Sequence, residues 1–327
     1  MVAAAMRVLA EATPVLDRHD VLGEGPAYDA ANDRVVWCDI NGRRIHELRR
    51  DGDGWAAGAS WETPDLPGAV VPRREGGLLA MVGHEFCVLA DDGSLEPFAR
   101  LDLRGAPTRF NDCKVDPRGR LLAGTMVLDL SEPGQLVRLD PDGTLTTLLG
   151  DVQLSNGLDW SPDGATFYFT DTPTLGIDAF DYDLDAGTIS NRRRLVTIPR
   201  GEGAPDGMCV DDEGCLWTPS IFSGQIRRYS PDGELLGVVD TPAHQVSSCT
   251  FAGDELFITT IGEEIPRFLP RDLGLTEDEI DAATANHDNG LQQDPQVFLQ
   301  EGDVVEISIP RIGTLRNQIV DEPRGPV

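Results

Sequence analysis

The sequence predicts an all-β fold, a six-bladed β-propeller whose last blade is closed or flanked by an atypical C-terminal segment. The first observation is a repeat. Six times a turn rich in Asp, Gly or Asn leads straight into a short apolar strand: residues 34–40 (RVVWCDI), 77–82 (GLLAMV), 120–126 (RLLAGTM), 166–172 (TFYFTDT), 215–220 (CLWTPS) and 255–260 (ELFITT). Their turn residues, at 33, 75, 116, 163, 212 and 253, are spaced by 42, 41, 47, 49 and 41 positions. Such a period, with strand-sized apolar runs, fits small sheets that bury their faces only against neighbouring blades. The second observation is a further set of turns interleaved with the first, at 50–54 (RDGDG), 91–93 (DDG), 140–143 (DPDG), 183–187 (DLDAG) and 230–233 (SPDG).

Each interleaved turn follows an alternating strand, such as 45–48 (IHEL) or 135–139 (QLVRL). In Pro-Asp-Gly the proline presets φ, the Asp side chain caps its own turn and Gly accepts positive φ, so a hairpin follows. The repeat strands number six and the interleaved turns five, and the missing partner belongs after Thr260, where the sequence changes character. The expected organisation is one propeller domain over residues 1–260, with the N-terminal strand 8–15 in the last blade, and a tail over 261–327. In the tail, 269–286 reads as a short acidic helix opening at Thr276-Glu277-Asp278-Glu279. The alternating strands that follow, 303–309 and 314–319, are expected to complete the last blade.

Composition narrows the function. Fifty-six acidic against 27 basic residues leave a formal charge of −29, a field that repels nucleic acid and anionic membrane and favours cations. Lys114 is the only lysine, so the other basic residues are arginine. Six cysteines stand singly, several inside apolar strands and none at CxxC spacing, which reads as small buried hydrophobes rather than disulfides or zinc ligands. No signal-peptide pattern and no apolar run of membrane-spanning length occurs, so a cytoplasmic, soluble protein is expected.

Chemistry is expected on the loops that reach the central channel, just ahead of the repeat strands. Four segments stand out: 22–26 (LGEGP) with Glu24, 108–114 (TRFNDCK) with Arg109, Asn111 and Asp112, 154–160 (LSNGLDW) with Asn156, and 205–209 (PDGMC) with Asp206. Asn-Gly and Asp-Gly are ordinary turn dipeptides. Equivalent positions in successive repeats, however, turn Glu24, Asn156 and Asp206 towards one point, where two carboxylates and an amide oxygen without a cation would repel one another. An all-oxygen set suits Ca²⁺, Mg²⁺ or Mn²⁺, and Zn²⁺ where water completes the shell. Of the five histidines, only His244 falls on a channel loop. No GxSxG elbow, Walker loop or dinucleotide fingerprint is present.

These motifs, with RFNDCKVDPRGRLLAGTM, SNGLDWSPD, DAFDYDLDAGTISNRR and PDGMCVDDEGCLW, resemble the senescence-marker-protein/gluconolactonase/regucalcin-like family over about residues 22–260. The resemblance implies a six-bladed propeller holding one divalent metal ion and hydrolysing sugar lactones. By motif it makes Glu24, Asn156 and Asp206 the metal ligands, Asp206 also the general base, and Arg109 and Asn111 the contacts to substrate. Asp129 is the nearest match to an acidic substrate-binding residue. The alternative is a non-enzymatic Ca²⁺-binding protein, which has no need of Arg109 and Asn111. Hydrolysis of phosphate or other esters would call for a second cation or a His base. A short stretch at about 297–320 resembles the end of fumarylacetoacetate-hydrolase-like proteins and implies no activity here.

Overall fold

The computed structural model describes residues 7–16, 18–102, 107–243, 245–262, 304–309 and 313–318. After β1 (Val8–Glu11), the chain builds four antiparallel sheets of four consecutive strands each. The first is β2 (Gly23–Asp29), β3 (Arg34–Asp39), β4 (Arg44–Asp51) and β5 (Gly54–Glu62). The second is β6 (Pro67–Pro72), β7 (Leu78–Val82), β8 (Glu85–Leu89) and β9 (Leu95–Arg100). The third is β10 (Thr108–Val115), β11 (Leu121–Val127), β12 (Gly134–Leu139) and β13 (Leu145–Val152), and the fourth β14 (Ser155–Trp160), β15 (Thr166–Asp171), β16 (Gly176–Asp183) and β17 (Thr188–Thr197). The fifth has a divided inner strand, β18 (Ala204–Pro205) and β19 (Cys209–Val210), followed by β20 (Leu216–Ile221), β21 (Gln225–Tyr229) and β22 (Leu235–Asp240).

The repeat is thus structural: each repeat strand is the second strand of its sheet, and each interleaved turn joins the third strand to the fourth. The expected count of six blades is corrected to five. Among the described residues the sixth repeat forms β23 (Val246–Ala252) and β24 (Glu255–Thr260), a two-stranded sheet.

The N-terminal strand also differs from expectation. β1 pairs in parallel with β22, Val8 opposite Val238 and Glu11 opposite Asp240, and so extends the fifth sheet. Its Leu9 and Ala10 cover the apolar cluster of Trp217, Ile226, Val239, Val246 and Cys249, which the edge of β22 would otherwise leave open. In the tail, β25 (Val304–Ile309) pairs with β26 (Gly313–Gln318) as a separate hairpin and not with β24. The expected helix at 269–286 and His244 lie outside the described residues.

Apolar clusters sit between neighbouring sheets, as a ring of wedges requires. Val70, Leu78 and Cys87 meet Val36, Cys38 and Ile45 of the first sheet. Phe86 packs edge-on to Phe110 across the second interface, ring centroids 4.8 Å apart. Phe167 and Phe169 pack with Leu122 and Leu136 across the third. β23 closes the ring on both flanks. Its Ser247 carbonyl accepts from Gly207 N at 2.9 Å on the fifth sheet, while Ser247 Oγ donates to Gly23 O at 2.6 Å on the first. No helix among the described residues is long and apolar enough to cross a membrane.

Candidate active site

Every inner strand that carries a site motif loses its regular register at the motif itself. On β2 the pairing with β3 is broken between Glu24 and Ala27, where Gly25 takes the left-handed φ of 55°. On β10 it is broken between Phe110 and Cys113, around Asn111 and Asp112, and on β14 between Ser155 and Leu158, around Asn156 and Gly157. The fifth sheet splits outright between β18 and β19, at Asp206 to Met208. Such bulges release side chains from the strict in–out alternation of a strand and re-aim them. Here they bring Glu24, Arg109, Asn111, Asn156 and Asp206 close enough to interact, all buried.

Hydrogen bonds lock the layer. Arg109 Nη1 donates to Asn111 Oδ1, and Asn111 Nδ2 donates at 2.6 Å to both Ser155 O and Asn156 Oδ1. Asn156 Nδ2 donates to Thr172 Oγ1 at 2.7 Å, and that hydroxyl donates to Pro205 O at 2.8 Å, next to Asp206. The backbones are in close approach, because a Cβ on Gly157 would stand 2.6 Å from both Asp206 O and Met208 N. A Cβ on Gly207 would meet Ser248 Oγ.

The carboxyls are under electrostatic strain. Burial, then the neighbouring Asp112, pushes Glu24 up to about 8, against the opposing pull of the Gly25 amide and Arg109. Burial, then Glu24 and Asp112, holds Asp206 well above the ordinary carboxylate range. Asp112 itself rises to about 6 by burial, opposed first by Lys114. Asp206 Oδ1 is buried and has no hydrogen-bond partner, which is costly for a polar atom unless something else completes it. Two buried carboxylates, one of them with an orphaned oxygen, and an amide oxygen make a hard-oxygen set that fits a divalent cation.

Asp129 takes no part in the hydrogen bonds described above for this layer. It is exposed on the loop after β11, where its Oδ1 accepts from Ser131 N at 3.1 Å and Ser131 Oγ at 2.6 Å, and these bonds lower its pKa. Asp112 and Thr172 take part in the layer although sequence reasoning gave them no role. The adjacency of Asp112 to Asn111 in the RFNDCK motif was an available signal; Thr172, at the end of a repeat strand, had none.

A cavity of about 380 Å³ is lined by Asp112, Lys114, Met208 and Cys249 among others. Lys114 Nζ donates to Asp159 Oδ2 at 2.6 Å and to Met208 O at 3.1 Å. Two acidic clusters lie outside the layer, Asp20 with Asp39 and His46, and Asp211 with Glu213 and Cys215. Arg18 occupies the first, bonded to Asp20 at 2.7 Å and to the His46 ring, and Arg228 bridges Asp211 and Glu213 at 2.7 and 2.6 Å.

Comparison with known proteins agrees with this architecture. Regucalcin of Danio rerio is 36% identical over 258 residues, covering 75% of this chain and 85% of the relative. The pentonolactonase XacC of Haloferax volcanii is 38% identical over 253 residues, covering 76% of this chain and 85% of its own length. The crystal structure of a calcium-binding protein, regucalcin, from Agrobacterium tumefaciens superposes with a TM-score of 0.70 at 26% identity, covering 85% of this chain and 90% of that one. The model of the SMP-30/gluconolactonase/LRE-like region matches residues 22–262, and the resemblance expected for about 297–320 falls outside the matched residues. With most of its length so matched, and with the motif residues gathered in one layer, the chain belongs to the SMP-30/gluconolactonase/LRE-like family.

Proposed function

We propose that the protein hydrolyses sugar lactones with the help of one divalent cation. The reading is carried by the buried Glu24–Asn156–Asp206 oxygen set, with its orphaned Asp206 Oδ1, beside the Arg109–Asn111 pair. Lactonase relatives support the reaction class. Glu24, Asn156 and Asp206 would hold the cation, which as a Lewis acid polarises the lactone carbonyl and offsets the repulsion between the two carboxylates.

Asp206 is the general base. Its Oδ1 makes no hydrogen bond to the protein and is available to take a proton from the attacking water. The water oxygen bonds to the carbonyl carbon, the ring C–O bond breaks, and the proton passes to the departing ring oxygen, leaving an open hydroxy acid. Arg109 and Asn111 hold the sugar hydroxyls. Asn111 has a second task, since its amide group donates to Asn156 Oδ1 and fixes the ligand amide in place. A lactone is already reactive, so one ion and one carboxylate supply the modest acceleration required.

The test is a pH-indicator assay over pentono- and hexonolactones, using chelated protein reloaded with Ca²⁺, Zn²⁺, Mn²⁺ or Mg²⁺ singly. Hydrolysis that depends on the added ion supports the reading. Ion binding with no hydrolysis of any lactone replaces it with a cation-binding role.

A further inference from the structure

Two thiols meet where the fifth sheet joins the two-stranded sheet that closes the ring. Cys209 on β19 and Cys249 on β23 lie 40 residues apart in sequence, with their Sγ atoms 3.6 Å apart. Their strands are already tied two residues upstream by the hydrogen bond from Gly207 N to Ser247 O. Cys249 Sγ also donates to Trp217 O at 3.4 Å, so in the contact between the two sulfurs the Cys209 thiol is the donor. Both are otherwise free cysteines and both are buried, yet Cys249 lines the cavity.

We infer that Cys209 and Cys249 form a reversible disulfide, made by hydroperoxide entering that cavity, which staples the closing sheet to the fifth blade. The geometry asks for little, because a bond of roughly 2.0 Å needs the sulfurs to approach by a small side-chain rotation. Cys249 is the residue that reacts with the oxidant. Its thiolate, having released a proton, attacks one peroxide oxygen; the S–O bond forms, the O–O bond breaks, and the departing hydroxide takes up a proton as water. Cys209 then attacks the sulfenic sulfur, the S–S bond forms and the S–O bond breaks, releasing a second hydroxide that the Cys209 proton converts to water. Two thiols give up two electrons and hydrogen peroxide becomes two waters.

Burial pushes the Cys209 thiol up, and the Lys114 ammonium, bonded to the Met208 carbonyl beside it, opposes that shift. This suits Cys209 to the second, intramolecular step, where proximity replaces acidity. The consequence is mechanical. β23 holds the ring to the fifth sheet only through hydrogen bonds and packing, and the disulfide adds a covalent tie at that seam.

The experiment treats the folded full-length protein with hydrogen peroxide, blocks remaining thiols by alkylation, and maps peptides without reduction. The expected result is a loss of about 2 Da in a cross-linked pair of peptides, reversed by dithiothreitol. Fragmentation must place one end at Cys209 rather than at nearby Cys215, and the other at Cys249. The oxidised protein should melt about 5 °C or more above the reduced form. In Cys209→Ser, that shift should vanish and Cys249 should instead be trapped by dimedone as sulfenic acid. The inference is overturned if both cysteines remain alkylatable after peroxide has oxidised other residues, if the bond joins a different pair, or if Cys249 passes to sulfinic acid with Cys209 still reduced.

Discussion

Gly157 N donates to Asp206 O at 3.1 Å, and the bare Cα of Gly157 is what lets the two strands come that close. The dipeptides Asn156-Gly157 and Asp206-Gly207 each place a side chain proposed to hold the cation beside a residue that has none. Turn chemistry alone would explain Asn-Gly and Asp-Gly; the packing shows a second reason for the glycines. Gly157→Ala is predicted to force β14 away from the Asp206 segment. The expected cost is about 1–3 kcal/mol of stability, with Ca²⁺ affinity reduced at least tenfold. Calorimetric titration beside thermal melting measures both. Unchanged affinity would show that this contact does not set the site.

Asp206→Asn keeps the shape and removes the base. Lactone hydrolysis is predicted to fall by a factor of about 100 or more, with the circular dichroism spectrum retained. The metal-free variant should melt no lower than metal-free wild type, since a buried carboxyl crowded by Glu24 and Asp112 is lost. Steady-state kinetics with a defined ion, and a melting curve after chelation, check the two halves separately.

The raised carboxyls make the metal-free protein sensitive to pH. Glu24 titrates near 8 in the folded chain against an ordinary 4.5, so folding retains a proton that the unfolded chain has released. The stability this contributes is full below about pH 4.5 and is lost as pH rises towards 8. His46 works in the opposite sense: burial, then Arg18, lowers it from 6.5 to about 4, so its contribution is lost as pH falls through that window. Above pH 6.5 only the carboxyl effect remains. Metal-free protein is therefore predicted to lose stability from pH 6.5 to 8, with a slope of at most about 1.4 kcal/mol per pH unit for each proton. Glu24→Gln, or saturating Ca²⁺, should flatten the slope. Melting that rises over this interval in the metal-free wild type would contradict the assignment.

Asp129 accepts both of its recorded hydrogen bonds from Ser131 within its own exposed turn. Asp129→Ala is predicted to leave kcat/KM within about threefold and to cost at most about 1 kcal/mol, as expected for loss of a local turn bond. A large rise in KM with kcat unchanged would instead return Asp129 to the substrate.

Deleting residues 1–12 tests the role of β1. It uncovers the backbone edge of β22 and the cluster around Trp217 and Val239. The prediction is a clear fall in melting temperature and a new tendency to self-associate through the exposed edge, read by scanning calorimetry and light scattering.

The strand repeat and its interleaved turns were legible because Asp-Gly and Pro-Asp-Gly punctuate the chain wherever a hairpin reverses, and every such turn at 50–54 through 230–233 joins the third and fourth strands of a sheet. The absence of a matching turn after Thr260 was legible too. That β23 and β24 stand as a two-stranded sheet was not, because the apolar run of β24 reads the same whether or not outer strands follow it. β1 escaped because a four-residue strand carries no sign of which edge it will join, and a parallel partner needs no turn to announce it. Glu24, Asn156 and Asp206, the proposed cation ligands, were singled out by their place in the repeat. Their mutual bracing through Asn111 and Thr172 was not legible, since it depends on three bulges whose geometry no local sequence signal records.

The most direct test of the account measures Ca²⁺ binding and the initial rate of pentonolactone hydrolysis on the same chelated sample as the ion is titrated back. The account predicts negligible hydrolysis before addition and a rate that rises in proportion to occupancy of a single site, with both signals lost when Glu24 and Asp206 are replaced together by Gln and Asn. Full hydrolysis by the chelated protein, or a filled site with no hydrolysis under any of the four ions, would contradict it.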